Sequence, residues 1–183
     1  DPAVPKALWE FKWSDACFDA GSLADQFTDC HVGLSYGDPV IAKLEDGRWV
    51  VFVTSGYNNV NDPVKSGDGQ GYLYVLEATT GKILYKIGTG VGSSTNVSGL
   101  AHISARSVET LRDNTAKFIY GTDLLGNVWR FDVNNLIAPS GVEASLLATL
   151  VDSLGNAQPI TTKPQLGVVG TDPWVYVGTG QYL

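Results

Sequence analysis

The 183-residue chain contains no methionine, only two cysteines and only two histidines. Without an initiator, the expectation is a processed, excised or partial chain. Two imidazoles, His31 and His102, leave little to build acid–base catalysis from. Basic residues are also sparse: 12 Lys and Arg against 19 Asp and Glu give a formal charge of −7. No Lys/Arg cluster occurs, which disfavours nucleic acid as a partner, because neutralising a phosphate backbone takes clustered cations. Long apolar runs are missing too. The runs present are strand-sized and broken by Gly, Asp or Thr, so no membrane span is expected. What remains is a chain with 44% hydrophobic and 17% charged residues, too apolar for disorder and long enough for one domain with a sizeable core.

Cys17 and Cys30 stand 13 residues apart in a polar, acidic segment. That spacing is too wide for a CxxC redox pair, and no further cysteine exists to complete a zinc set. A disulfide is expected, and with it an exported protein. Closing a loop of this size stabilises by about 3 kcal/mol on loop-entropy grounds. The alternative is two unpaired thiols in a loop.

Two segments nearly repeat one another. Gly71-Tyr72-Leu73-Tyr74-Val75-Leu76-Glu77 and Gly126-Asn127-Val128-Trp129-Arg130-Phe131-Asp132 each begin on glycine, alternate large apolar residues and end on a carboxylate. Each follows another apolar run, Trp49 to Val53 and Phe118 to Gly121, and a third run, Trp174 to Gly178, stands near the end. Strand pairs recurring every ~55–70 residues indicate a β-propeller of four-stranded antiparallel blades. The predicted fold is all-β, a partial propeller with about two and a half blades at 38–88, 99–151 and 158–183, preceded by a leading strand at 7–11. In the first blade, strands are expected at Pro39 to Leu44, Arg48 to Thr54, Gly71 to Glu77 and Lys82 to Ile87, with turns at Glu45-Asp46-Gly47 and Ala78 to Gly81. In the second they are expected near Ala101 to Val108, Lys117 to Thr122, Asn127 to Val133 and Ser145 to Val151. Val142 to Leu150 suits a helix or a strand. Pro159 to Val169 opens the third blade, with Pro164 marking an edge or a kink.

Several motifs carry a chemical reading beside a plainer one. Gly88 to Ser94 has glycines at phosphate-loop alternation, but no lysine and no following helix, and reads as an inter-blade linker. Asn58, Asn59, Asn61, Asp62 and Asp68, or Asp15, Asp19, Asp25 and Asp29, could ligate a cation; solvated connections are the plainer reading. A Ser-His-Asp trio can be drawn through Asp123, as can many arbitrary trios. Asn96-Val97-Ser98 is a glycosylation sequon by pattern only. Trp49, Trp129 and Trp174 are expected to pack between sheets, ligand stacking being the sharper alternative.

Tyr74 to Tyr85 resembles the repeat of pyrroloquinoline-quinone dehydrogenases, which also occurs in propellers that bind no quinone. Those enzymes carry adjacent cysteines, which Cys17 and Cys30 are not. A more distinctive resemblance runs through Ser35 to Leu44, Gly47 to Phe52, Gly56-Tyr57-Asn58-Asn59, Gly71 to Leu76 and Tyr120 to Asp132, most specifically Leu124-Leu125-Gly126-Asn127-Val128-Trp129-Arg130-Phe131-Asp132. Together with Leu8 to Phe11 and Val177 to Leu183, these are similar to the C-terminal propeller of type IV pilus tip-associated adhesins, the PilY/PilC-type family. Residues 12–33 and 134–157 lie outside the resemblance.

The resemblance implies a large extracellular protein at the pilus tip or outer-membrane surface of a bacterium, acting in pilus biogenesis, surface adhesion and twitching motility, and not an enzyme. Implied partners are the remaining blades of its own parent chain, minor pilins, and a host or surface ligand. Many members carry a calcium loop before the second strand of one blade. The matching positions here are Glu109, Leu111, Asp113, Thr115 and Lys117, and calcium wants six to eight oxygens. With Leu and Lys in the set the loop is degenerate; calcium is not expected, and an Asp113–Lys117 ion pair is expected in its place. No cofactor is expected. The alternative functions are a quinoprotein-like dehydrogenase fragment and a carbohydrate-binding propeller.

Overall fold

The computed structural model describes residue 4 and residues 6–19, 26–60, 67–107, 113–134 and 143–181. No helix occurs among them, and so none is long and apolar enough to cross a membrane. Twelve strands form: β1 (Lys12–Trp13), β2 (Thr28–Asp29), β3 (Val40–Lys43), β4 (Trp49–Thr54), β5 (Gln70–Glu77), β6 (Ile83–Gly92), β7 (His102–Ser107), β8 (Ala116–Thr122), β9 (Asn127–Asp132), β10 (Glu143–Thr149), β11 (Gln165–Val169) and β12 (Asp172–Tyr176). They assemble into two four-stranded antiparallel meanders, β3-β4-β5-β6 and β7-β8-β9-β10, followed by the hairpin β11-β12. Strands 1 and 2 make a two-residue parallel pair.

Alternation along β4 and β5 determines the packing, because successive side chains leave opposite faces of a sheet. Val50, Phe52, Leu73 and Val75 point into a core shared with the second sheet, where Ile103, Ile119, Trp129 and Phe131 meet them. Val51, Tyr74 and Leu76 leave by the other face and are covered by Trp9, Phe11, Trp13 and Phe18 of the N-terminal segment. The first blade is therefore buried on both sides. Residues 7–11, expected as a strand, pair with no strand among the described residues; the strand is the short β1 just after them. The alternating apolar side chains cover a sheet face instead of extending an edge, and the Trp9 indole donates to Ala78 O at 2.9 Å.

Other boundaries shift for local reasons. The Gly88–Ser94 linker expectation is corrected: β6 continues to Gly92, its register bulging where Gln70 faces Gly92. The 142–150 ambiguity resolves as strand β10. The opening strand of the third unit begins directly after Pro164, which supplies no ladder N–H. Of the three tryptophans expected between sheets, only Trp129 is buried. Trp49 is half-exposed at the start of β4, and Trp174 lies half-exposed against Tyr176 on a hairpin whose faces are open.

Consecutive blades are joined by a repeated device. In both four-stranded blades the second strand ends on a threonine whose hydroxyl donates to a carbonyl entering the next unit: Thr54 Oγ1 to Ala101 O at 2.8 Å, and Thr122 Oγ1 to Thr162 O at 3.2 Å.

Candidate functional site

Immediately after β8, Asp123 organises a five-residue turn. Its Oδ1 accepts from the backbone N–H groups of Leu125 and Asn127, at 3.0 and 2.9 Å. Its Oδ2 accepts from Asn127 Nδ2 at 3.0 Å, Trp129 Nε1 at 2.9 Å and Ser98 Oγ at 3.2 Å. An Asp can bridge a turn in this way because its short side chain reaches N–H groups two and four residues on. Gly126 takes the left-handed conformation (φ 78°) that the turn requires. The carboxylate is fully buried, and no histidine is among these donors, so the drawn Ser-His-Asp trio does not form around it.

That turn fixes one wall of a cavity of about 470 Å³ lined by Tyr57, Asn58, Val97, Leu124, Thr161 and Gln181. Three equivalent loops supply the main walls: the residues after β4, after β8 and after β12. Backbone hydrogen bonds stitch them to the neighbouring entries, Gly56 N to Leu100 O (2.8 Å), Leu124 N to Ser98 O (2.8 Å) and Gly180 N to Pro159 O (2.7 Å). Gly99 is what lets the walls converge: a Cβ there would stand 2.6 Å from Leu124 and 3.1 Å from the Tyr57 ring. Asn58 is the one non-glycine residue among those described with positive φ (54°). Tyr57 is half-buried, which pushes its phenol above the usual value, and Tyr36 stands beside it with ring centres 5.9 Å apart.

A second polar cluster lies under the N-terminal segment. Cys17 and Cys30 are joined as a disulfide, with Cα atoms 4.5 Å apart. Next to it Asp29 is completely buried, accepting from Lys86 Nζ and Tyr74 Oη at 2.7 Å each and from Phe18 N at 2.8 Å. Burial alone would raise the Asp29 pKa. The His31 ring, the Lys86 ammonium, the Phe18 N–H and the Tyr74 hydroxyl outweigh it and hold the carboxyl well below the usual carboxylate range. Burial raises the Tyr74 phenol, as does the Asp29 charge, so it stays protonated and donates. Lys86 also reaches His31 Nδ1 at 2.7 Å and lies over the Tyr72 ring.

Cys17, Asp29, Cys30 and His31 bring ligand-type atoms within 4.8 Å of one another. With both sulfurs in a disulfide no thiolate is available, and the cation facing Asp29 is Lys86. Of the described members of the two proposed acidic and amide sets, Asp29 faces Lys86. Asn59 donates its amide to His31 O and Gln70 O, Asp68 accepts from Gln70 N and Tyr72 Oη, and Asn58 lines the cavity. Asn61, Asp62 and Asp25 lie outside the described residues.

Glu109 and Leu111 of the degenerate loop also lie outside them. The expected Asp113–Lys117 ion pair is not formed. Asp113 pairs with Lys43 at 2.8 Å and Lys117 with Glu45, both across to the first blade. The reason is geometric: the chain at Thr115 runs parallel to the end of β3, with Lys43 N donating to Asn114 O at 2.9 Å, so both residues meet partners of opposite charge there. Ser98 of the sequon is buried against Asp123.

A family model described as the PilY1 beta-propeller domain matches residues 1–183. The chain is similar to the type IV pilus biogenesis factor PilY1 of Pseudomonas aeruginosa, with 30% identity over 100% of this chain and 16% of that protein. It is also similar to a PilY1 homolog of Xylella fastidiosa, with 25% identity over 85% of this chain and 11% of that protein. Among solved structures, the crystal structure of the Pseudomonas aeruginosa PilY1 C-terminal domain matches with a TM-score of 0.70 and 28% identity, covering 86% of this chain and 34% of that one.

Proposed function

The chain belongs to the PilY1 β-propeller domain family, and from that premise we propose that it is a non-catalytic propeller module of a type IV pilus biogenesis factor, exported to the pilus tip or outer-membrane surface. There it acts in pilus assembly, surface adhesion and twitching motility, its loops docking minor pilins or a surface ligand while the sheets hold them rigid. The observation that carries this reading is the family match over the whole chain. The chain covers only 16% of the Pseudomonas aeruginosa relative and 34% of the solved domain, which supports further blades in a parent polypeptide. We assign the exposed apolar residues Leu146, Leu147, Val168, Val169 and Trp174 to contact with those blades. The quinoprotein alternative has less support, since Cys17 and Cys30 are 13 positions apart in sequence and not adjacent.

The test is localisation. Antibody raised against these residues should label pilus ends in immunogold microscopy and detect the protein in sheared pili. Labelling confined to the cytoplasm would defeat the reading.

A further inference from the structure

The cavity between the three loops has a lining that selects its occupant. Among the described residues no Lys, Arg, Asp or Glu lines it. These residues offer an anionic ligand no cation, on a chain of net charge −7, and a cationic ligand no carboxylate. A purely apolar ligand fails for a different reason. Tyr57 Oη and the amides of Asn58 and Gln181 make no side-chain hydrogen bonds with the described residues, and such a ligand would cover all three without giving them partners. What fits is a neutral molecule with one apolar face and many hydroxyls. A sugar ring is built that way: its axial C–H face stacks on an aromatic ring, and its equatorial hydroxyls pair with amides. The volume, about 470 Å³, is in the range for small-ligand sites and suits one or two sugar units.

We propose that this cavity binds a neutral saccharide, one ring resting on Tyr57 while Asn58 and Gln181 take its hydroxyls. Tyr36, exposed at 67% and adjoining Tyr57, extends the aromatic floor toward a second unit at the rim. The backbone at Asn58 serves the site: its left-handed conformation, uncommon for a residue with a side chain, is one that asparagine tolerates and that places an amide at the mouth. Thr161 is already engaged, donating to Gly180 O at 3.0 Å, and so braces the wall and leaves recognition to the amides. The proposal rests on the adhesive reading above for its biological use, and on the lining alone for its chemistry.

The test is ligand-observed NMR and calorimetry on the full-length protein. The probes are neutral oligosaccharides of glucose, galactose, mannose and N-acetylglucosamine, with sialylated and sulfated oligosaccharides and uncharged peptides alongside. At least one neutral saccharide should bind with a dissociation constant of ~1 mM or tighter. Tyr57→Ala should weaken it about tenfold or more, Tyr57→Phe should stay within about threefold, and Gln181→Ala should weaken it about threefold. Tyr57 is half-buried, so the exposed Gln181→Ala variant carries the test if Tyr57→Ala does not fold. The proposal is overturned if no neutral saccharide binds at ~10 mM, if only acidic saccharides or peptides bind, or if binding is indifferent to the variants. Absent binding by a protein still found on pili overturns the saccharide site and leaves the pilus reading standing; binding by a protein absent from pili does the reverse.

Discussion

The same five-residue turn is built twice in this molecule, once buried and once in water. Asp123-Leu124-Leu125-Gly126-Asn127 and Asp152-Ser153-Leu154-Gly155-Asn156 share the glycine with positive φ and the backbone bonds from Asp N to Asn O and from Gly N to Asp O. They also share a carboxylate that accepts from the N–H groups two and four residues on and from the Asn amide. The difference lies in what surrounds them. Asp123 also gathers the Trp129 indole and the Ser98 hydroxyl in a site closed to water, whereas Asp152 is half-exposed and residues 153–156 of its turn are exposed. Identical local geometry therefore has unequal consequences: where water can replace a lost partner the turn is a local convenience, and where it cannot, the carboxylate becomes a structural post for the cavity wall.

The largest expected effect follows. Asp123→Ala leaves the Trp129 Nε1–H, the Ser98 hydroxyl and two backbone N–H groups without their acceptor, and should cost about 4 kcal/mol, read as the shift in urea unfolding. Asp29 sharpens the comparison, because its burial is compensated by a charge. Asp29→Ala strands the Lys86 ammonium and should cost about 3 kcal/mol or more. Its pH signature has a fixed sign. Because the folded-state pKa is depressed, its contribution is complete above the unfolded carboxylate value of ~4 and is lost as pH falls below it. Wild-type protein should thus lose urea resistance in acid more steeply than Asp29→Asn, measured from pH 6 down to 2.

Cutting the neighbouring staple with Cys17→Ser and Cys30→Ser together should cost about 3 kcal/mol, visible in the same unfolding curves. The smallest effect belongs to the exposed turn. Asp152→Ala should leave the thermal midpoint nearly unchanged, although hydrogen bonds from Asn156 and the Leu154 and Gly155 N–H groups hold that carboxyl below its usual pKa. Equal losses at Asp123 and Asp152 would break the comparison.

Much of the fold is legible in the order of residues, because a half-buried or doubly buried strand writes itself as local alternation. Trp49 to Thr54 and Asn127 to Asp132 are strands for that reason, and Gly47 marks the β3–β4 turn by its position between apolar runs. What failed depends on distance. Trp9 and Phe11 alternate like a strand, yet nothing local says whether such side chains pair at an edge or lie across a face. The partners of Asp113 and Lys117 sit in another blade, and spacing alone suggested only each other. Lys86, 57 positions from Asp29, could not be matched to it without the register of β5 against β6. The cavity was equally hidden, since its six residues come from five separate segments, although the repeated Asp-x-Leu-Gly-Asn turn was visible and could have pointed to its wall.

The most direct measurement is genetic. The segment corresponding to residues 1–183 is deleted in frame from the gene of the whole protein, and surface pili are counted by electron microscopy beside a twitching assay. Loss of surface pili and of twitching, restored by the intact gene, is the predicted result. Normal pili and motility with the truncated protein still exported would contradict a role for this propeller in pilus biogenesis.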